Sequence, residues 1–242
     1  HSDSSAASDV YKRQVDIQHG ALDYSDVLPM FQAMQSSGAT LMARVPWRDP
    51  GYIMKALDVG AMGIICPMIN NSEEAAEFIS YMRYPPLGQR SFGPTRVAVS
   101  VPDYGVEAND EVLAFAMIET ADGVQNLEAI AATAGLDGIY VGPADLTLGT
   151  QLGRLAPGLD RTEDEMVTLI QKVASVCKEY GLIAGIHCGT AEYASKALGW
   201  GYNLTTIGGD TRLLASAAAA SVSSWRKLTG RKEKAQVTGG VY

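Results

Sequence analysis

Glu119 and Asp145 are the residues whose placement first suggests chemistry. Glu119 directly follows an apolar run of strand length at 113–118, and Asp145 follows a second at 138–141. The segment between the runs has helical period, so the pair reads as a βα unit followed by the next strand. In a parallel sheet both carboxylates fall on the rim where strands end. Neighbouring strands lie ~4.8 Å apart, close enough for two acids to share one small, hard cation. Between them Gly142-Pro143-Ala144 turns the chain into a helix start, whose backbone N–H groups suit a bound anion, such as a small carboxylate, beside that metal. A plainer reading stands next to this one: a carboxylate after a strand is often the N-cap of the following helix.

Other strand ends add candidates. His19 closes the segment Asp16-Ile17-Gln18-His19-Gly20 and is either a proton-transfer group or a satisfied structural histidine. Arg44 ends an otherwise apolar strand, and a guanidinium beside a core needs an anionic partner, which a substrate oxyanion would supply. His187 and Cys188 end a further strand, where they line a pocket or simply pack, and Asp210 reads as an N-cap. Lysines 55, 172, 178 and 196 lie in helical segments and none falls at a strand end, which disfavours a Schiff base.

These residues need a scaffold that brings strand ends together. From Val15 the chain repeats strand, loop and helix, with strands at 15–17, 41–45, 63–66, 113–118, 138–141, 182–186 and 204–207. The runs are short and continuous, as in a parallel sheet covered by helices. Thr162 with Glu165 predicts a capping box ahead of the stripe Met166, Leu169, Ile170, Val173 and Cys177, with Gly181 as the stop. Asn71 with Glu74 predicts another helix start, ending before Pro85-Pro86. Seven strands are one short of a (β/α)8 barrel, and the missing unit would precede Val15. Residues 1–14 lack either periodicity and read as an extraneous or disordered tail; 15–230 read as one barrel domain and 231–242 as a flexible tail.

The chain has 242 residues, 47% hydrophobic and 19% charged, a globular composition. Its 19 basic and 27 acidic side chains give a net charge of −8 with no basic stripe, which argues against nucleic acid. No apolar run approaches the ~20 residues of a membrane span. Cys66, Cys177 and Cys188 lack ligand spacing and read as reduced core thiols of a cytoplasmic protein.

The segments VDIQHG from Val15, ARVPW from Ala43, LDVGAMGIICPMI from Leu57, YPPLGQRSFG from Tyr84, MIET from Met117, DGIYVGPADL from Asp137 and IGGDTRLL from Ile207 resemble the HpcH/HpaI-type aldolases, relatives of citrate lyase β subunits. That resemblance implies a (β/α)8 TIM barrel of the phosphoenolpyruvate/pyruvate type, here lacking its first βα unit. It implies a divalent-metal-dependent lyase of aromatic or sugar acid catabolism, cleaving 4-hydroxy-2-oxo acids to pyruvate and an aldehyde. Glu119 and Asp145 would hold Mg²⁺ or Mn²⁺, or else Co²⁺; Arg44 would bind the keto oxygen and His19 act as acid and base. The turn Gly142, Pro143, Ala144 and Asp145 would bind the pyruvate carboxylate and His187 would line the substrate pocket. Gln18, where the family often has Glu, and His187, where it often has an apolar residue, are departures that bear on the aldehyde half. In the family an aspartate at the position of Asp58 pairs with the catalytic histidine. Asp58 lies ~12 Å down its helix from the rim, so that pairing requires a neighbouring subunit: a homo-oligomer, trimer or hexamer, with shared sites. A CoA-ester lyase, for which Arg90 and Arg96 are the obvious phosphate ligands, and a non-catalytic barrel acting as an oligomerisation module are the rival readings.

Overall fold

β-branched and small apolar residues dominate the short runs, and each run is followed by a helix start, so the strands pair in parallel through crossovers. The computed structural model describes residues 12–232. In chain order the elements are β1 (Lys12–Asp16), α1 (Tyr24–Met34), β2 (Thr40–Arg44), α2 (Pro50–Asp58), β3 (Gly63–Cys66), α3 (Ser72–Met82), α4 (Val97–Ser100), α5 (Tyr104–Glu111) and β4 (Leu113–Ile118). Then come α6 (Ala121–Gln125), α7 (Leu127–Ala131), β5 (Gly138–Val141), α8 (Pro143–Gln151), α9 (Asp164–Glu179), β6 (Ile183–Cys188), α10 (Ala191–Gly199), β7 (Leu204–Ile207) and α11 (Asp210–Leu228). The seven strands form one curled parallel sheet in sequential order. An eighth strand is not among the described residues.

Side-chain alternation divides each strand between two cores. Ala43, Ile64, Ala116, Ile139 and Ile186 face outward into the larger core beneath the helices. Met42, Ile65, Phe115, Met117, Tyr140 and Leu204 form a separate cluster on the concave inner face. Inner packing works by pairing large with absent side chains: Met42 lies in register with Gly63, Phe115 with Gly138 and Tyr140 with Gly185. A Cβ on those glycines would stand 3.0 Å from Met42 Cε, 2.4 Å from Phe115 Cε1 and 2.6 Å from Tyr140 Cδ2. Continuing the same alternation to the C-terminal ends of the strands puts Asp16, Arg44, Glu119, His187 and Thr206 on the inner face, above this cluster.

Several boundaries differ from expectation. β1 begins at Lys12 and pairs with β2 from Lys12 opposite Thr40 to Asp16 opposite Arg44, so residues 12–14 belong to the sheet and not to a tail. Residues 1–11 and 233–242, most of the two expected tails, lie outside the described residues. β6 runs on through His187 and Cys188, because His187 still pairs with Thr206 and Cys188 with Ile207. No capping box forms at Thr162; α9 starts at Asp164 with Glu163 at the cap, and the Glu163 carboxylate is held by Arg161 at 2.6 Å. Gly209, not Asp210, caps α11, and Asp210 Oδ1 accepts the Thr211 N–H as its first-turn acid. Asn71 does cap α3, accepting the Glu74 N–H at 2.8 Å. Cys66, Cys177 and Cys188 are free and buried, and no helix among the described residues is long and apolar enough to cross a membrane.

Candidate active site

Glu119 leaves the end of β4 with its side chain 1% exposed. Its Oε1 accepts the Met68 N–H at 2.8 Å, while the buried Oε2 has no partner. Burial first, and then the nearby Asp145 carboxylate, push its pKa up to about 7, against the pull of the Met68 N–H and the Arg44 charge. The Met68 amide is delivered by an unusual backbone: this non-glycine residue has φ 57°, in the left-handed region. Asn70 fixes that loop, its Nδ2 donating to the Met68 carbonyl at 2.9 Å and its own carbonyl accepting Asn126 Nδ2 at 2.8 Å.

Gly142 makes room for the carboxylate. A Cβ there would lie 2.6 Å from Glu119 Oε2 and 2.4 Å from Met117 Cε. The same glycine is the N-cap of α8 and brings no capping side chain, and Pro143 has no N–H to satisfy. The amides of Ala144 and Asp145 therefore begin the helix without a side-chain acceptor, and Asp145 sits in the first turn beside the orphaned oxygen's carboxylate.

Arg44 reaches the same space from β2. Its Nε donates to Asp16 Oδ1 at 2.9 Å and a terminal nitrogen donates to Asp16 Oδ2, a two-pronged pair at register partners. On the other side, Thr206 Oγ1 lies 2.8 Å from His187 Nδ1 and 2.9 Å from the Tyr140 hydroxyl. Burial first, then the Arg44 charge, lower the His187 pKa to about 4, so the imidazole is neutral near pH 7.

The sequence model of the HpcH/HpaI aldolase/citrate lyase family matches residues 14–217. The chain belongs to that family. It is 37% identical over 229 residues to a hydroxypyruvate/pyruvate aldolase of Rhizorhabdus wittichii, covering 94% of this chain and 90% of that protein. It is 31% identical over 216 residues to a 5-keto-4-deoxy-D-glucarate aldolase of Klebsiella pneumoniae, covering 88% and 82%. The fold superposes on an HpcH/HpaI aldolase/citrate lyase family protein from Burkholderia cenocepacia with a TM-score of 0.81, at 30% identity over 93% of this chain and 90% of that one.

In this HpcH/HpaI family chain the structure brings Arg44, Glu119, Asp145, His187 and the turn from Gly142 to Ala144 to one rim. His19 follows β1 on that rim and is exposed. Asp58 is not part of the group. It ends α2 at the opposite end of the βα unit, where its Oδ1 accepts Arg90 at 2.7 Å. Burial raises the Asp58 pKa, and Arg90 opposes the rise. Arg90 itself is sealed between the rings of Tyr84 and Tyr104, 4.5 and 5.4 Å away.

Sequence reasoning missed Asp16, Tyr140, Thr206 and the Met68–Asn70 loop. Asp16 was legible in principle, since strand ends at equal register place it opposite Arg44. The positive φ of Met68 leaves no trace in residue type.

Among the described residues no group of three or more His, Cys, Asp or Glu side chains is placed to hold a metal ion. A cation bound on this rim would have the carboxylates of Glu119 and Asp145 as its protein ligands. An orphaned, deeply buried carboxylate oxygen beside a second acid fits such an ion, because a buried acceptor without a partner costs about 1–3 kcal/mol that a cation would remove.

Proposed function

We propose that this protein is a divalent-metal-dependent aldolase that cleaves 4-hydroxy-2-oxo acids to pyruvate and an aldehyde. The observation that carries the reading is Glu119 Oε2, buried without a partner on the rim that also holds Asp145 and Arg44. Glu119 and Asp145 would hold Mg²⁺, Mn²⁺ or Co²⁺, which supplies Lewis-acid stabilisation of the C2 oxygen when bound. Cleavage of the C3–C4 bond develops negative charge on that oxygen, and Arg44 presents a guanidinium already oriented by Asp16 to meet it. The free first-turn amides of Ala144 and Asp145 bind the 2-oxo acid's carboxylate. His19 accepts the 4-hydroxyl proton as the carbon–carbon bond breaks, and protonation of C3 of the resulting enolate, by that proton or one from water, gives pyruvate.

Assembly completes the site in this reading. None of the residues of α11 is buried, and Leu213, Leu214 and Trp225 are exposed along it, an apolar face that suits a second copy of the chain. Asp58, held by Arg90 and only partly exposed, would reach His19 of a neighbour in a trimer or hexamer. The CoA-ester lyase reading loses its phosphate ligands: Arg90 is buried against Asp58, and Arg96 donates to the Val59 carbonyl at 3.0 Å and to Gln35 at 2.6 Å. The test is an aldol screen of pyruvate against several aldehydes with and without EDTA, alongside CoA thioesters. Turnover of free hydroxy-oxo acids that stops in EDTA supports the proposal; turnover of thioesters alone, or EDTA-resistant aldol turnover, contradicts it.

A further inference from the structure

Tyr140, Thr206 and His187 form a closed polar triangle on the inner face; the aldolase reading puts His187 in the pocket lining but gives these hydrogen bonds no role. Tyr140 lies with its ring across β6 because residue 185 is glycine, and Thr206 is the register partner of His187. The three polar atoms are 2.9, 2.8 and 3.5 Å apart, the last being Tyr140 hydroxyl to His187 Nδ1. Proton counting decides the tautomer. If Nδ1 carried the hydrogen it would donate to Thr206 Oγ1, and only one of the two hydroxyl protons, on Thr206 or on Tyr140, would then find an acceptor within the triangle. With Nδ1 bare, Tyr140 donates to Thr206, Thr206 donates to Nδ1, and both hydroxyl protons of the triangle are satisfied. Burial and the Arg44 charge keep the ring from taking a second proton near pH 7.

We infer that His187 is a specificity-determining residue: locked by Thr206 and Tyr140 as the Nε2–H tautomer, it offers a hydrogen-bond donor that selects aldehydes bearing a hydroxyl group over alkyl aldehydes. This inference rests on the aldolase reading for the reaction. The 2-oxo acid half is already served by Arg44 and the α8 amides. His187 stands on β6, on the side of α8's strand away from β4, with Asp16, Arg212 and Asp160 as the further charges around it. Its donor is thus left for an oxygen in the remainder of the substrate. A site built to donate to a hydroxyl discriminates against the isosteric methyl compound, because the donor is left unpaired.

Two measurements test it. Long-range proton–nitrogen correlation NMR of the whole protein, with His187 signals identified by their loss in His187→Gln, should show a bare Nδ1 and a protonated Nε2 between pH 6 and 8. A protonated Nδ1 overturns the inference whatever the activity. With pyruvate as donor, the ratio of kcat/KM for glycolaldehyde over propanal should fall about 10- to 100-fold in His187→Leu. Thr206→Val should lower it by less, and His187→Gln, which keeps an N–H, should restore part of it. An unchanged ratio in an active His187→Leu enzyme overturns the inference and leaves the aldolase reading intact. Absence of turnover with every aldehyde overturns the aldolase reading and the preference with it, while the tautomer remains measurable.

Discussion

The two sides of the inner rim handle buried polar atoms in opposite ways. At the ends of β6 and β7, Thr206 and His187 join Tyr140 of β5 in a set of polar groups that satisfy one another, and burial drives the histidine to its neutral form, with a pKa lowered to about 4. At the ends of β4 and β5, Glu119 keeps one oxygen without a partner, and burial drives its pKa up to about 7. Both groups resist charge for the same reason, the cost of desolvation. Only one of them is left with an unmet valence. On the proposed reading, that difference makes the β4–β5 side the place a cation would complete and the β6–β7 side a finished wall that would shape what else enters.

Breaking the unfinished side should have the largest effect. Arg44→Lys keeps the charge and loses the planar fork that Asp16 orients, and should lower kcat by about 10²–10³ with the fold retained by circular dichroism. Turnover within a few-fold of wild type would make Arg44 structural. Gly142→Ala should lower kcat at least ~10-fold, a conservative reading of what a misplaced catalytic group costs. Its Cβ would stand 2.6 Å from Glu119 Oε2 and force the carboxylate to shift, so steady-state kinetics at saturating Mn²⁺ is the check.

The comparison also fixes the sign of two pH effects on stability. Glu119 is held above its usual pKa of 4.5, so the folded, metal-free chain favours the proton and loses stability as pH rises from 4.5 through about 7. Glu119→Gln removes that burden: in EDTA at pH 8 it should be more stable than wild type by an amount on the order of 2–3 kcal/mol, read as a higher midpoint in chemical denaturation. His187 has the reverse sign. Its folded pKa is below 6.5, so stability falls as pH drops from 6.5 toward 4, and His187→Leu should flatten that limb. Parallel denaturation curves at pH 4.5 and 6.5 for variant and wild type would contradict the closed-triangle picture.

Much of the fold was legible because its signals are local. Five of the seven expected strands match their observed spans to within one residue at either end, and the Asn71 cap, the Pro143 start of α8 and the buried face of α9 follow from residue type and spacing. The exceptions are places where tertiary pairing overrides local signals. β1 extends back to Lys12 because β2 offers it a ladder, and β6 extends through Cys188 because β7 does the same; at α9 the cap falls on Glu163 and not on Thr162. Within the site, Glu119, Arg44 and Asp145 stood out as charges at the ends of apolar runs. Tyr140 and Thr206 read as ordinary strand residues, and only the register that puts Thr206 beside His187 and Gly185 beneath Tyr140 gives them a shared role. Asp58 shows the opposite limit: an anion near a helix C-terminus calls for a compensating partner, and that partner is Arg90, far along the chain.

Calorimetric titration of Mn²⁺ into the EDTA-stripped protein at pH 8, above the pKa of Glu119, tests the central claim most directly. The account predicts one site in the wild-type chain and its loss in both Glu119→Gln and Asp145→Asn, since a single remaining carboxylate leaves too little charge to hold a hard cation. Unchanged Mn²⁺ affinity in the two variants would show that these carboxylates are not the metal's ligands and would contradict the account.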